Sequence, residues 1–235
     1  MTITNQQSPN RNPGRQGHRP DIIVCHITEG SFDGALSWIT NPASQVSYHY
    51  VVARDGRVVQ AVDLADTAWA NGTTSGTANN GNQHSRLATV RNRNVNANLY
   101  TISIGFEGRF SEKQGDLSAA QLIASVGLIT HIRREVTRIF GITIPISREN
   151  IVGHVDITPR HKPNCPGPAF PYDKILTQLN PPQPPETMRF DIFGEIRYIP
   201  AFIRNDRTYV QARPLLESTG HTVDWDESTR TVVVR

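Results

Sequence analysis

The chain has 235 residues, enough for one sizeable domain and a smaller second one. Its hydrophobic fraction of 37% is typical of a globular protein, and no apolar stretch reaches the roughly 18 residues that a membrane span needs. The net charge of +3 suits contact with an anionic polymer, but the basic residues are scattered and do not alternate with aromatic residues, so we expect no nucleic-acid binding.

The N-terminal segment, residues 1–20, is polar and rich in Asn, Gln, Arg and Pro, which predicts a flexible arm. It lacks the apolar core of a secretory signal. Residues 21–28 follow as a short apolar run, which is typical of a buried strand. Ser31 is placed to cap a short helix, and Asn41-Pro42 is placed to end it.

Asp55-Gly56 is a strong signal for a hairpin turn, and β-rich residues flank it at 46–52 and 57–62. Residues 71–98 are rich in Gly, Asn, Thr and Ser. They predict a long surface loop, a type of segment that is often functional.

The clearest helix is predicted over residues 118–140, where apolar residues recur at helical spacing. Its first residue, a serine, forms a capping box with Gln121, and Gly141 is placed to end it. A strand is predicted at 100–106 and a last helix at 172–179.

The chain is predicted to form two domains joined by a Pro-rich linker at 180–187. Strands and helices alternate within the main domain, 21–179, which predicts an α/β fold with a central mixed β-sheet flanked by helices. Residues 188–235 predict a small α+β module, with a helix near 210–218 and a hairpin over 225–234.

Three side chains are candidates for metal ligation. His26 lies inside the first predicted strand, and His154 and Cys165 share a segment bounded by Gly153 and Gly167. Zinc binds imidazole nitrogen and thiolate sulfur, and two histidines with one thiolate leave a fourth position open for catalysis. Spacing alone does not assign the metal, because His26 and His154 lie far apart in the chain.

The two cysteines leave other interpretations open. Cys25 and Cys165 are two buried thiols or one disulfide, unless Cys165 binds metal. Because successive strand residues point to opposite faces, Cys25 faces away from His26, and an inert buried thiol is its best interpretation. His161 is a rival candidate ligand.

Several segments, taken together and in order, resemble the zinc-dependent N-acetylmuramoyl-L-alanine amidases, a family that includes phage lysozyme-type amidases, bacterial autolysins and catalytic peptidoglycan recognition proteins. The resemblance covers roughly residues 20–178. The segments that carry it are residues 22–28, 47–52 with 54–56, 68–69, 103–107, and 153–162 with 165–167.

The resemblance implies a bound Zn²⁺ and a set of site residues. The ligands that it implies are His26, His154 and Cys165. It also implies that Lys162 supports catalysis, that Glu107 acts in catalysis or supports the zinc site, and that Tyr48 orients water, although Tyr48 also fits a packing role.

Two departures from the family pattern bear on these assignments. In relatives the lysine lies two positions before the third metal ligand, whereas Lys162 lies three positions before Cys165. The extra residue shifts the lysine or makes the loop bulge. Many relatives carry a histidine after the Ala-Trp pair, where this chain has Ala70. Asp156 is expected to brace the loop rather than to bind metal.

The resemblance implies a peptidoglycan hydrolase that cleaves the amide between N-acetylmuramic acid and L-alanine of the stem peptide. We expect it to act at the bacterial cell wall as a phage endolysin or an autolysin, remaining in the cytoplasm until it is released or exported by another route. The alternatives are a non-catalytic peptidoglycan-binding protein and a disulfide-bonded binding module. The oligomeric state stays open.

The C-terminal segment resembles a small module named after the copper amine oxidase N-terminal domain. It implies no copper here, because His221 lacks partner ligands in the sequence. A wall-attachment role is the hypothesis for this module.

Overall fold

The computed structural model describes residues 2–180, 186–192, 195–204, 207–210, 212–226 and 231–234. The chain divides into two compact units, Met1–Asn180 and Pro181–Arg235. The division falls within the predicted linker, whose residues 181–185 lie outside the described residues and whose last two residues begin a strand.

The first unit is built from short strands and helices in alternation. Its strands are β1 (Ile3–Asn5), β2 (Arg11–Asn12), β3 (Ile22–Ile27), β4 (Tyr50–Val52), β5 (Val58–Gln60), β6 (Thr67–Ala68), β7 (Thr101–Phe106) and β8 (Ile151–Gly153). Its α-helices are α1 (Phe32–Thr40), α2 (Ala88–Arg93), α3 (Phe110–Lys113), α4 (Ala119–Phe140), α5 (His154–Ile157) and α6 (Tyr172–Leu179). Short 3₁₀ turns occupy Pro42–Ser44, Asn82–His84 and Ala97–Tyr100.

The central sheet has the strand order β1-β5-β4-β7-β3-β8. The strands β4, β7, β3 and β8 run parallel to one another, whereas β5 pairs antiparallel with β4 and parallel with β1. The sheet is therefore mixed, which confirms the predicted fold class. The antiparallel pair β4–β5 is the predicted hairpin around Asp55-Gly56.

The two faces of the sheet carry different layers, and β3 shows why. Ile23 and Cys25 point into the core that α4 and α6 cover, together with β7 and β4 residues. Ile22 and Val24 point to the opposite face, where one small core includes Val90 of α2. A second small core on that opposite face packs α1 against β4 and β5. His26 lies two residues after Val24 in the strand and therefore points to the same face of the sheet, which α1 and α2 leave partly open.

The predicted helix ends are confirmed by their caps. Ser31 accepts a hydrogen bond from Gly34 N at 3.2 Å at the start of α1. Ser118 and Gln121 form the reciprocal capping box that begins α4. Gly141 ends α4 in the left-handed region with φ 69°, which glycine adopts without the steric cost of a Cβ.

The prediction of a flexible N-terminal arm is wrong. β1 pairs with β5 at the edge of the central sheet, and β2 pairs with β6. The Arg15 side chain is buried, and it donates to the carbonyls of Leu64, Leu99 and Thr101 at 2.7–3.1 Å. A polar composition does not prevent order here because backbone pairing and these hydrogen bonds fix the segment.

The prediction of a long loop over 71–98 is wrong in part. The segment contains α2, and Val90 packs into a small core with Ala97. Asn98 is buried too, and its side-chain oxygen accepts from Asn71 N at 2.8 Å. The asparagines that suggest a loop satisfy buried backbone groups here, which holds the segment in place.

The second unit contains β9 (Glu186–Ile192), β10 (Glu195–Arg204), β11 (Arg207–Val210), α7 (Ala212–Ser218), β12 (Val223–Asp226) and β13 (Thr231–Val234). The order β11-β10-β9 forms an antiparallel sheet, and β12 pairs antiparallel with β13. The predicted helix and terminal hairpin are both present, and the turn of that hairpin lies outside the described residues. Among the helices of the described residues, none has the length and apolar character that crossing a membrane requires.

Candidate metal centre

Two neighbouring strands and one loop bring three ligand-bearing side chains together. His26 lies near the end of β3, and His154 is the first residue of α5, directly after β8. Their Nδ1 atoms are 3.1 Å apart, and Cys165 Sγ lies 3.8 Å from His26 Nδ1. All three ligand atoms lie within 4.8 Å of one another. The predicted set His26, His154 and Cys165 therefore forms a cluster.

Hydrogen bonds hold the segment that carries His154 and Cys165. Asp156 Oδ2 accepts from Gly153 N at 2.8 Å and from Arg148 Nη2 at 3.2 Å, which braces the start of α5. Val155 N donates to the Cys165 carbonyl at 2.8 Å, which ties the loop to that helix. Asp156 thus has the bracing role that was expected of it.

The cluster fits a tetrahedral zinc site. Zinc–nitrogen bonds of about 2.0–2.1 Å and zinc–sulfur bonds of about 2.3 Å place two nitrogens about 3.3 Å apart and a nitrogen and a sulfur about 3.6 Å apart. The separations of 3.1 and 3.8 Å are close to these values. The three residues leave the fourth position of such a site to water or substrate.

Burial keeps the two histidines of the cluster in the neutral form that binds a cation. It lowers the pKa of His26 to about 3 and the pKa of His154 well below its usual range, so both imidazoles stay neutral. Burial also raises the pKa of the Cys165 thiol to about 11. A thiolate at this place therefore needs a nearby positive charge, which a bound metal ion would supply.

The cluster lies in a cavity of about 560 Å³. Residues of α1 and of the chain around β4 line one side: Ala35, Trp38, Ile39, Val46 and Tyr48. Residues that follow β8 line another side: His154, His161, Lys162, Pro163, Asn164 and Cys165. In the sheet, β3 lies between β8 on one side and β7 with β4 on the other. The two groups of lining residues therefore lie on opposite sides of His26.

Tyr48 lies beside the cluster. Its ring centroid is 5.0 Å from that of His26, and its hydroxyl stays protonated because burial raises its pKa. A Cβ at Gly105 would come within 2.8 Å of the Tyr48 ring, so only glycine at this position of β7 allows the close approach.

Lys162 also lines the cavity, although it lies three positions before Cys165. Lys162 N donates to Thr158 O at 2.9 Å, and Cys165 N approaches Lys162 O at 3.4 Å, so a compact turn accommodates the extra residue. The side chain of Lys162 is exposed, which leaves its ammonium group free to move toward a ligand in the cavity.

Glu107 is not among the residues that line this cavity. Its carboxylate accepts from Arg54 N at 2.7 Å, and its carbonyl accepts from Gln121 Nε2 at 3.0 Å. The side chain lies beside a small neighbouring depression with Ile27. This position braces the β4–β5 turn, and the role of Glu107 in catalysis stays a prediction.

Glu29 and Trp38 are cavity residues that the sequence did not single out as site residues. Glu29 follows β3, adopts a left-handed φ of 56°, and lines the cavity. Its carboxylate accepts from Phe110 N at 3.2 Å. Trp38 lines the cavity from α1. Neither residue stands out in the sequence, because Glu29 belongs to a turn segment and Trp38 is one of several apolar residues of a short predicted helix.

The remaining cysteine and histidine predictions are resolved by the geometry. Both cysteines are free, which rules out the disulfide interpretation. Cys25 is buried on the opposite face, where burial raises its pKa, as expected of an inert thiol. His161 lines the cavity but does not belong to the ligand cluster.

The solved structures that resemble the chain share its fold. A selenomethionine derivative of AmpD has a TM-score of 0.53 at 21% identity, over 75% of this chain and 94% of that one. The structure of PlyL has a TM-score of 0.51 at 19% identity, over 76% of this chain and 97% of that one.

Curated relatives are similar in sequence. N-acetylmuramoyl-L-alanine amidase A of Achromobacter lyticus is 32% identical over 116 residues, 49% of this chain and 52% of that protein. The 1,6-anhydro-N-acetylmuramyl-L-alanine amidase AmpD of Salmonella typhimurium is 29% identical over 188 residues, 72% of this chain and 85% of that protein. The chain spans about half the length of the Achromobacter relative.

Two family models match the two parts of the chain. The copper amine oxidase N-terminal domain matches residues 195–235, in agreement with the resemblance of the second unit. The N-acetylmuramoyl-L-alanine amidase family matches residues 16–168, which is more than half of the chain and contains the whole ligand cluster. The chain therefore belongs to the N-acetylmuramoyl-L-alanine amidase family.

Proposed function

We propose that this protein is a zinc-dependent peptidoglycan hydrolase that cleaves the amide bond between N-acetylmuramic acid and L-alanine of the stem peptide. The observation that carries the proposal is the clustering of His26, His154 and Cys165 within 4.8 Å in an open cavity. Membership of the amidase family supports the assignment of this amide as the bond that is cut.

The three clustered residues would hold the ion. A bound Zn²⁺ would polarise the amide carbonyl and lower the pKa of water toward neutrality. The neutral imidazoles of His26 and His154 are already in the form that binds metal, because burial disfavours their protonation. Only Cys165 has to lose a proton as the ion binds.

Two residues of the cavity would act on the substrate directly. Lys162 carries a mobile positive charge at the cavity, where it would stabilise the negative charge that develops on the amide oxygen. Tyr48 keeps its phenolic proton and lies next to the His26 ring, so it would donate a hydrogen bond and orient water or substrate.

The complete ligand set supports an enzyme over a non-catalytic binding protein. A binding protein needs a groove but has no use for two histidines and a cysteine with zinc-like separations. The open cavity that holds the ligands also favours a catalytic site, because structural zinc sites are closed by a fourth protein ligand.

The place of action and the role of the second unit belong to the same proposal. The protein would act at the bacterial cell wall, as a phage endolysin or as an autolysin, and the second unit would attach it to the wall. Wall-binding assays of the full chain and of a chain that ends at Asn180 test the attachment role. Equal binding by the two proteins would contradict it.

The experiment that tests the function combines zinc analysis with cell-wall clearing. We expect one zinc per chain, loss of turbidity of a wall suspension, and release of new N-terminal L-alanine as the walls dissolve. A protein that binds walls, stays zinc-free after zinc is added and releases no N-terminal alanine would be a binding protein instead.

A further inference from the structure

One side of the cavity presents an indole to solvent. Trp38 is 57% exposed, although α1 buries its other large side chains, Phe32, Leu36 and Ile39, against the sheet. An exposed tryptophan loses the free energy that burial would provide, so a ligand that covers it gains that free energy on binding.

The residues next to Trp38 extend this apolar surface. Val46 is 38% exposed, and Tyr48 and Trp69 are half-buried; all three line the same cavity. We call Trp38, Val46, Tyr48 and Trp69 the aromatic wall. None of the four carries a formal charge, and together they present two indoles and a phenol ring to a bound molecule.

The rest of the cavity has a different character. Glu29, His161 and Lys162 line it beyond the metal ligands, so this part is polar and carries charge of both signs. A substrate whose scissile amide lies at the cluster therefore meets an uncharged aromatic surface on the α1 side and charged side chains on the other side.

We propose that the aromatic wall binds the sugar ring of the substrate, with Trp38 stacked on the apolar face of an N-acetylhexosamine, and that it selects glycan-linked over free peptides. The inference rests on the proposed function. A pyranose ring has no charge and presents C–H groups on one face, which match an indole, whereas a stem peptide carries carboxylates that match the charged side of the cavity.

The first test compares two substrates that share the scissile amide. One is an N-acetylmuramoyl peptide, and the other is the D-lactoyl peptide, which lacks the pyranose ring. We expect Trp38→Ala to raise KM for the muramoyl peptide about tenfold and to leave the lactoyl peptide within about twofold, while Trp38→Phe retains most of the affinity. Unchanged zinc content shows that the centre is intact.

Ile123→Ala is the matched control, because Ile123 is another large apolar residue, 71% exposed, on α4 at the opposite face of the sheet. The control should leave both substrates unchanged. If Trp38→Ala raises KM equally for the two substrates, the indole contacts the peptide and not the sugar. If it changes KM for neither substrate, Trp38 is an ordinary surface residue. Both outcomes overturn the proposal.

A binding experiment separates this inference from the proposed function. Titration of the full chain with an N-acetylglucosamine tetramer, followed by calorimetry, should show binding in the wild type and at least about fivefold weaker binding in Trp38→Ala. If the wild type cleaves neither amide but binds the tetramer through Trp38, the proposed hydrolase fails and the sugar site stands. If it cleaves the amides and the tetramer does not bind, the hydrolase stands and the sugar site fails.

Discussion

The Nδ1 atoms of His26 and His154 lie 3.1 Å apart although 128 positions separate the two residues. The register of the sheet explains the pair. Cys25 of β3 aligns with Gly153 of the parallel neighbour β8, so the next residue along each chain is a histidine at the same level. The sheet therefore holds two ligands together before any metal binds, and Cys165 completes the set from a loop.

Removing the thiolate ligand should remove the metal. We expect Cys165→Ala to lose stoichiometric zinc, measured by elemental analysis, and to lose wall-clearing activity by about 100-fold or more. Cys25→Ala is the matched control, because it removes the other free thiol from the opposite face. The control should keep its zinc and lose about 1 kcal/mol of stability. Full zinc content in Cys165→Ala would show that the cluster is not the metal site.

Neutralising Lys162 should slow the reaction without releasing zinc. Lys162→Met keeps most of the side-chain volume and removes the charge, so we expect kcat to fall about 10²- to 10³-fold. Zinc content should stay at the wild-type value, since Lys162 is not a member of the cluster. Wild-type kcat in this variant would mean that the three-residue spacing to Cys165 directs the lysine away from the reacting amide.

Glu107 should act by positioning rather than by proton transfer, because its carboxylate is engaged with Arg54 N. Glutamine can accept the same hydrogen bond. We therefore expect Glu107→Gln to stay within about fivefold of the wild type and Glu107→Ala to lose about 10- to 100-fold in kcat/KM. If the glutamine variant is as inactive as the alanine variant at full zinc content, the carboxylate itself takes part in proton transfer.

The metal-free protein should lose stability in acid. Burial lowers the pKa of His26 to about 3 and that of His49 well below the ordinary value of 6.5. Below pH 6.5 the unfolded chain binds protons that the folded chain does not, so the free energy of unfolding falls as pH drops from 6.5 toward 3. Each such histidine contributes at most about 1.4 kcal/mol per pH unit.

His49→Gln tests this pH dependence away from the metal ligands. Arg15 and Ser103 contact His49, and the substitution should flatten the stability curve between pH 6.5 and 4.5 in EDTA, measured by urea unfolding. The exposed His221→Gln is the control and should follow the wild-type curve. A slope that stays at the wild-type value in His49→Gln would show that His49 is protonated in the folded state.

Arg15 should be a major stabilising residue of the first unit. Arg15→Met leaves the carbonyls of Leu64, Leu99 and Thr101 without their donor, and we expect a loss of about 2–4 kcal/mol in the free energy of urea unfolding. Arg19→Met is the control, because Arg19 is exposed. Equal stability of the two variants would mean that the hydrogen bonds of Arg15 do not stabilise the folded unit.

Local interactions explain what the sequence by itself determined. The capping box of Ser118 with Gln121 and the glycine stop at Gly141 form within a few residues, so they are readable without the fold. The central sheet flanked by helices follows from the alternation of predicted strands and helices along the chain. The candidate ligands His26, His154 and Cys165 came from a resemblance in several ordered segments, and the cluster in the structure agrees with that set.

Only the tertiary structure decided how distant residues meet. The register of β3 against β8 aligns His26 with His154, and the pairing of β1 with β5 orders a segment whose composition suggests disorder. Tertiary contacts also direct Glu107 toward Arg54 and leave Trp38 open to the cavity. Composition and periodicity report local preferences, whereas these placements depend on hydrogen bonds and packing between residues far apart in the chain, which form only when the whole sheet assembles.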